Sequence, residues 1–194
     1  ISYYQQTLTV ELRLYGEDST AVATTRNNLG TAYLSLGQFQ TVLGYFHNAL
    51  ISDLKSYGEI HPDVARDLNN LGVAYNYLGK HKKAIGYYQQ ALDSNLKIYG
   101  EEHLAVARGR NNLGGVYKDI GQYKKAIDYY QQALQSDLKT FGENHPNIAI
   151  RWHNLGSVYD NLGQYKIAIG YYQKALDYTY GEDHPKVANR RNSL

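Results

Sequence analysis

The chain has 194 residues but no cysteine, no methionine, three prolines, three phenylalanines and a single tryptophan. Without cysteine there are neither disulfides nor thiolate metal sites, and the compartment is left open, with a cytoplasmic setting favoured. No apolar run reaches the roughly 18 residues that mark a candidate membrane-spanning helix. Charge of one sign is scarce too. A net charge of +2 is too small to make nucleic acid or an anionic membrane the expected partner. The first residues read as the middle of a repeat with no signal-peptide pattern, so the chain is expected to be a piece of a longer protein.

Tyrosine is abundant, with 21 residues against the few other aromatics. Its ring fills a helix seam while its hydroxyl reaches the wet edge, which suits a thin core where no position lies far from water. A dedicated aromatic binding surface is the alternative.

Tyr15-Gly16-Glu17, Tyr57-Gly58-Glu59 and Tyr99-Gly100-Glu101 recur at a stride of 42 residues, and Phe141-Gly142-Glu143 keeps the interval. Tyr180-Gly181-Glu182 arrives three residues early. A fixed period of this length indicates one supersecondary unit stacked in an array. Within the unit, Val64, Ala65, Leu68, Leu71, Gly72, Tyr75 and Leu78 recur at helical spacings of three and four. Pro62 suits the first helical turn, His61 precedes it as a cap, and Gly79 ends the helix. Ala84, Ile85, Tyr88, Ala91, Leu92 and Leu96 trace a second helix that stops at Gly100. Two helices joined by a tight turn form an antiparallel hairpin, and neighbouring hairpins must cover its apolar seam.

The expected fold is therefore all-α, a single array over 1–194. It comprises an orphan second helix (1–16), four hairpins (20–58, 62–100, 104–142 and 146–181) and a truncated first helix (184–194). The early fifth copy predicts a last helix packed at a shifted angle, because three residues are just under one helical turn.

Trp152, Leu155-Gly156, Tyr159, Ala168, Tyr172 and Ala175 resemble the tetratricopeptide repeat pattern. The 42-residue stride and the linkers Gly58–Ala65, Gly142–Ala149 and Gly181–Ala188 look more specifically like the kinesin-light-chain subtype. The Asn-Asn-Leu-Gly runs at 27–30, 69–72 and 111–114 support that comparison. Thr20 and Leu104 depart from it by standing where the linker has proline. The resemblance covers essentially the whole chain and implies a right-handed superhelical solenoid of helix hairpins. It also implies a concave groove lined by first helices that binds partner peptides.

Asn28, Asn70, Asn112 and Asn154 precede the Leu-Gly pairs. Mid-helix asparagine has no propensity advantage, so its recurrence calls for a reason on the surface it faces. Arg66 and Arg108 stand four residues before Asn70 and Asn112, which puts each pair on one helical face. In related co-chaperones a cation and an asparagine at such positions clamp a terminal carboxylate, and that role is carried to Arg66/Asn70 and Arg108/Asn112 as what the resemblance implies. The alternative is an asparagine ladder that fixes repeat register, with the arginines paired to nearby acids. Thr31, Val73, Gly115 and Ser157 lie further along the face and leave room for a ligand, although close helix packing also favours small side chains. His153, beside Asn154, is a candidate groove contact.

His61, His103, His145 and His184 recur once per linker, which favours caps over a shared metal ion because equivalent helices are too far apart to converge on one ion. Lys82-Lys83 and Lys124-Lys125 read as solvated. No nucleophile–base set or phosphate loop stands out, so neither catalysis nor a cofactor is expected. The leading functional reading is a scaffold that binds a protein or peptide, with an acidic or C-terminal carboxylate group engaging the arginines. A regulatory or sensor arm of a larger signalling protein and a self-associating array are the competing readings.

Overall fold

The computed structural model describes residues 1–143 and 145–180. Among them every regular element is an α-helix: α1 (Ser2–Tyr15), α2 (Thr20–Ser35), α3 (Phe39–Tyr57), α4 (Pro62–Tyr77), α5 (His81–Tyr99), α6 (Leu104–Asp119), α7 (Tyr123–Phe141), α8 (Pro146–Asn161) and α9 (Tyr165–Tyr180). The chain divides into two compact units, Ile1–Gly100 and a second that begins at Glu101. In the first, α2–α3 and α4–α5 are hairpins, α3 packs on α4, and α1 lies against α2. In the second, α6–α7 and α8–α9 are hairpins and α7 packs on α8. The expected truncated first helix at 184–194, and the junction at the early fifth copy, lie outside the described residues.

Each hairpin opens on a side-chain cap. Ser19 Oγ accepts the Ala21 N–H at 3.3 Å, and the Nδ1 atoms of His61, His103 and His145 accept the N–H groups of Asp63, Ala105 and Asn147 at 3.3, 3.2 and 3.3 Å. An imidazole accepts only through its unprotonated nitrogen, so this geometry places the ring proton on Nε2. Pro62 and Pro146 occupy the first turn, where a missing N–H costs nothing. The recurrent aromatic before Gly-Glu meets the next cap: Tyr57 stacks on His61 at 3.8 Å and Phe141 on His145 at 4.1 Å between ring centroids. The linker motif is thus a helix stop and a helix start held face to face.

Inside each hairpin the first helix closes through a left-handed glycine. Gly79 has φ 68°, and the next N–H, that of Lys80, returns to the Tyr75 carbonyl at 2.9 Å. This is the Schellman arrangement, which only a residue free of Cβ adopts without strain. Leu-Gly has a second purpose. A Cβ on Gly72 would stand 2.5 Å from the Tyr88 ring, and on Gly114 or Gly156 it would stand 2.8 Å from Tyr130 or Tyr172. The second helix therefore presses an aromatic ring onto bare backbone of the first. Leu29, Leu71, Leu113 and Leu155 are fully buried beside these contacts, each worth about 1.5–3 kcal/mol of burial.

Candidate peptide-binding face

Burial separates two faces on every first helix. Val22, Leu29, Val64, Leu71, Val106, Leu113, Ile148 and Leu155 are buried against the second helices. At i, i+4, i+7 and i+11 the other face carries Thr24, Asn28, Thr31 and Ser35 on α2, all exposed. On α4 the same positions hold Arg66, Asn70, Val73 and Tyr77, and on α6 they hold Arg108, Asn112, Gly115 and Asp119. None of these is buried. Helical geometry alone gathers them into stripes.

Two asparagines of the stripes tie their helix to the neighbouring first helix within a unit. Asn70 Nδ2 donates to Asn27 Oδ1 at 3.1 Å, and Asn154 Nδ2 donates to Asn111 Oδ1 at 2.7 Å, both across 43 residues. The odd residue beyond the 42-residue stride shows that the second asparagine of one repeat meets the first asparagine of the repeat before it. Asn27 then passes the chain inward, its Nδ2 donating to Asp67 Oδ1 at 2.7 Å. Asn28 stays exposed. The amide hydrogens of Asn70 and Asn154 thus each make a bond that ties neighbouring first helices.

The two arginines differ in setting. Arg66 bonds the carboxylates of Asp63, Asp53 and Asp67, the last two at 3.3 Å each. Burial pushes the carboxyl of Asp67 up to about 7 against the pull of Arg66 and of the Asn27 bond. Asp53 is raised as well, again first by burial, while its contact with Asp67 and the Arg66 charge oppose the shift. Arg108 is exposed on α6 and makes no hydrogen bond or ion pair among the described residues. One arginine is neutralised at home and the other is not.

Two sequence models described as tetratricopeptide repeat match the chain, one over residues 43–97, 63–139 and 106–179 and the other over 22–63. The chain belongs to the tetratricopeptide repeat family. Among solved structures, this array is similar to BtubC (BKLC) from P. vanneervenii at 24% identity, covering 100% of this chain and 73% of that one, with a TM-score of 0.80. The nearly identical TPR-like repeats of a candidate kinesin light chain from Podosopora anserina align at 19% identity, covering 93% of this chain and 85% of that one, with a TM-score of 0.77. MamA aligns at 19% identity, covering 97% and 89%, with a TM-score of 0.62. No curated protein sequence matches the chain. These likenesses show the hairpin-solenoid fold. Tetratricopeptide repeats generally serve as scaffolds for protein partners and are generally not enzymes. No described helix is long and apolar enough to cross a membrane.

Several features of the array are invisible in the repeat pattern alone. Tyr33–Tyr45, Tyr75–Tyr87, Tyr117–Tyr129 and Tyr159–Tyr171 form four stacked pairs with centroids 5.5, 5.3, 5.5 and 5.6 Å apart. Their spacing along the chain is constant, and that regularity was the available signal. Lys83 and Lys125, expected to be simply solvated, sit over the rings of Tyr75 and Tyr117 at 5.2 and 5.1 Å. The exposed side chain can hold this position because an ammonium is attracted by the ring face. His153 is exposed and tilts against Tyr172 at 5.3 Å between centroids. Nothing local in the sequence singles out Asp53, Asp67, Asn27 and Asn111, because the bonds Asn27–Asp67, Arg66–Asp53 and Asn154–Asn111 run between helices.

Proposed function

We propose that this tetratricopeptide array binds a segment of a partner protein along the exposed stripes of its first helices. An acidic side chain or a C-terminal carboxylate of that partner pairs with Arg108. The carrying observation is the contrast between the arginines: Arg108 is exposed with no carboxylate of its own, whereas Arg66 already bonds three. A planar guanidinium can grip an incoming carboxylate through two hydrogen bonds. Asn112 stands one turn further on the same stripe, and Asn28, Asn70, Asn154 and His153 extend the polar surface of their own helices. Arg66 contributes less, because a ligand must compete with Asp53, Asp63 and Asp67. Most of the affinity comes from shape and apolar contact, and the polar groups set orientation.

The test is fluorescence anisotropy on the intact chain, with labelled acidic peptides carrying either a free or an amidated C-terminus. A charge-assisted hydrogen bond contributes about 1.5–3 kcal/mol, so Arg108→Ala should weaken binding about tenfold or more. Arg66→Ala should weaken it less but lower the melting temperature, because it strips the buried Asp53 and Asp67 of their cation, whereas Arg108→Ala should leave the melting temperature nearly unchanged. Undiminished binding by Arg108→Ala would overturn the assignment. Loss with the amidated peptide alone would identify the terminal carboxylate as the recognised group.

A further inference from the structure

Two buried carboxyl groups face each other between α3 and α4. The side chain of Asp53 is 2% exposed and that of Asp67 is 0% exposed. Half of their oxygens are engaged. Asp67 Oδ1 accepts from Asn27 Nδ2 at 2.7 Å and from Arg66, and Asp53 Oδ2 accepts from Arg66 Nη2 at 3.3 Å. The other two, Asp53 Oδ1 and Asp67 Oδ2, are buried and have no donor. The two carboxyls converge on a single nitrogen, Arg66 Nη2, which lies 3.3 Å from each, so they sit side by side in the buried layer. Ionised carboxylates are acceptors only, so two of them cannot satisfy each other's free oxygens. One shared proton satisfies both orphaned atoms.

The second unit supplies an internal comparison. Residues 137, 150 and 151 stand 84 positions after 53, 66 and 67, which is two strides of 42. There Asp137 on α7 faces Arg151 on α8, whose Nε donates to Asp137 Oδ2 at 2.9 Å, with both side chains almost fully buried. Residue 150 is Ile, so the cation has moved one place inward, and the buried acid has a full counter-charge. Asp137 Oδ1 lacks a donor too, but among the described residues Arg151 bonds no second acid beside it. At the α3–α4 contact the inward position holds Asp67 instead. Arg66 is left at the rim, shared with Asp63, and the buried layer has one carboxyl too many.

We propose that Asp53 and Asp67 hold a single proton between them, and that this proton is a latch closing the contact of α3 with α4. When it leaves, two adjacent anions remain in a buried layer, where like charges repel strongly and desolvation is most costly. The charged and titratable surroundings are few. From α4 the pair meets Arg66, Asp63 and, more distantly, His61. From α2 it meets the uncharged Asn27, while Arg26 is turned toward Ser52 and the Glu17 carbonyl. No charged group of α5 bonds either carboxyl among the described residues.

The sign follows from linkage. An unfolded aspartate ionises near about 3.9, whereas the native pair keeps its proton up to about 7. Between these values the native state binds more protons, so its stability falls as pH rises, and the loss is complete just above the native value. Comparing wild type with variants isolates the contribution of this pair.

Carbon-13 NMR of the Asp67 carboxyl on the intact chain, followed from pH 3 to 9, reads the proton directly. A midpoint above 6 is expected, and a midpoint below 5 would overturn the proposal. Thermal melts at pH 5, 6.5 and 8 provide the second measurement. Asp67→Asn keeps the acceptor for Asn27 and places an amide donor opposite Asp53. Arg66→Ile combined with Asp67→Arg copies the arrangement of the second unit. Relative to wild type, either should gain about 3 °C or more between pH 5 and pH 8, taking about 2–4 °C per kcal/mol for a chain of this size. A difference from wild type that stays constant across pH would sink the latch, and the NMR titration needs no variant to fold.

Discussion

A single asparagine shows how much one residue can hold in this protein. Asn27 is buried, donates to Asp67 at 2.7 Å and accepts from Asn70 at 3.1 Å, so it joins the core acid to the exposed stripe. Replacing it with alanine removes one donor and leaves Asp67 with a weaker shell, whereas losing Asn70 removes only one bond. The expected order of destabilisation is therefore Asn27→Ala greater than Asn70→Ala. A double-mutant cycle on chemical denaturation should return a coupling of about 0.5–1.5 kcal/mol, the usual net contribution of such a bond. Additive effects would mean that the ladder contributes shape and not energy. The repeated Asn-Asn-Leu-Gly was plain in the sequence. Its meaning was not, because an amide's partner 43 residues away depends on how helices lie side by side.

At the level of the element, glycine separates packing from propensity with an internal control. Gly72 and Gly86 are both helical, in α4 and α5. A Cβ at Gly86 meets nothing within 4 Å, but at Gly72 it strikes the Tyr88 ring, which is itself buried at 4% exposure and cannot swing away. Alanine gains about 1 kcal/mol over glycine in a helix interior. Overpacking costs about 1–3 kcal/mol. Gly86→Ala should accordingly raise the melting temperature and Gly72→Ala should lower it, both by a few degrees in thermal unfolding followed by circular dichroism. A stabilising Gly72→Ala would show that the ring relocates freely. The helices themselves were legible from the three-and-four periodicity and from the glycine stops. The histidine caps followed from their recurring place in the linker, while the stacking of Tyr57 and Phe141 on those caps needed coordinates.

On the scale of the molecule, stability is expected to be uneven. Contacts in a hairpin array are made between neighbours, so each helix is as secure as the helices beside it. α1 has no buried residue and leaves Tyr3 at 86% and Leu14 at 67% exposure. A helix of this length is marginal in water by itself. α4 buries Val64, Ala65, Leu68, Leu71, Ala74 and Tyr75. Hydrogen exchange in this chain should accordingly find the amides of α1 exchanging first and those of α4 protected by orders of magnitude more. Equal protection in the two helices would contradict the neighbour-only picture.

The all-α architecture, the caps and the membership of a repeat family follow from residues read in order, because helical period, glycine stops and a constant stride are local properties. Which polar groups share a layer is a different kind of fact. That Arg66 is neutralised while Arg108 is open, that the asparagines pair out of register, and that Asp53 meets Asp67 all depend on neighbouring helices. Electrostatic energies change steeply over a few ångströms. Those distances exist only once the hairpins are stacked.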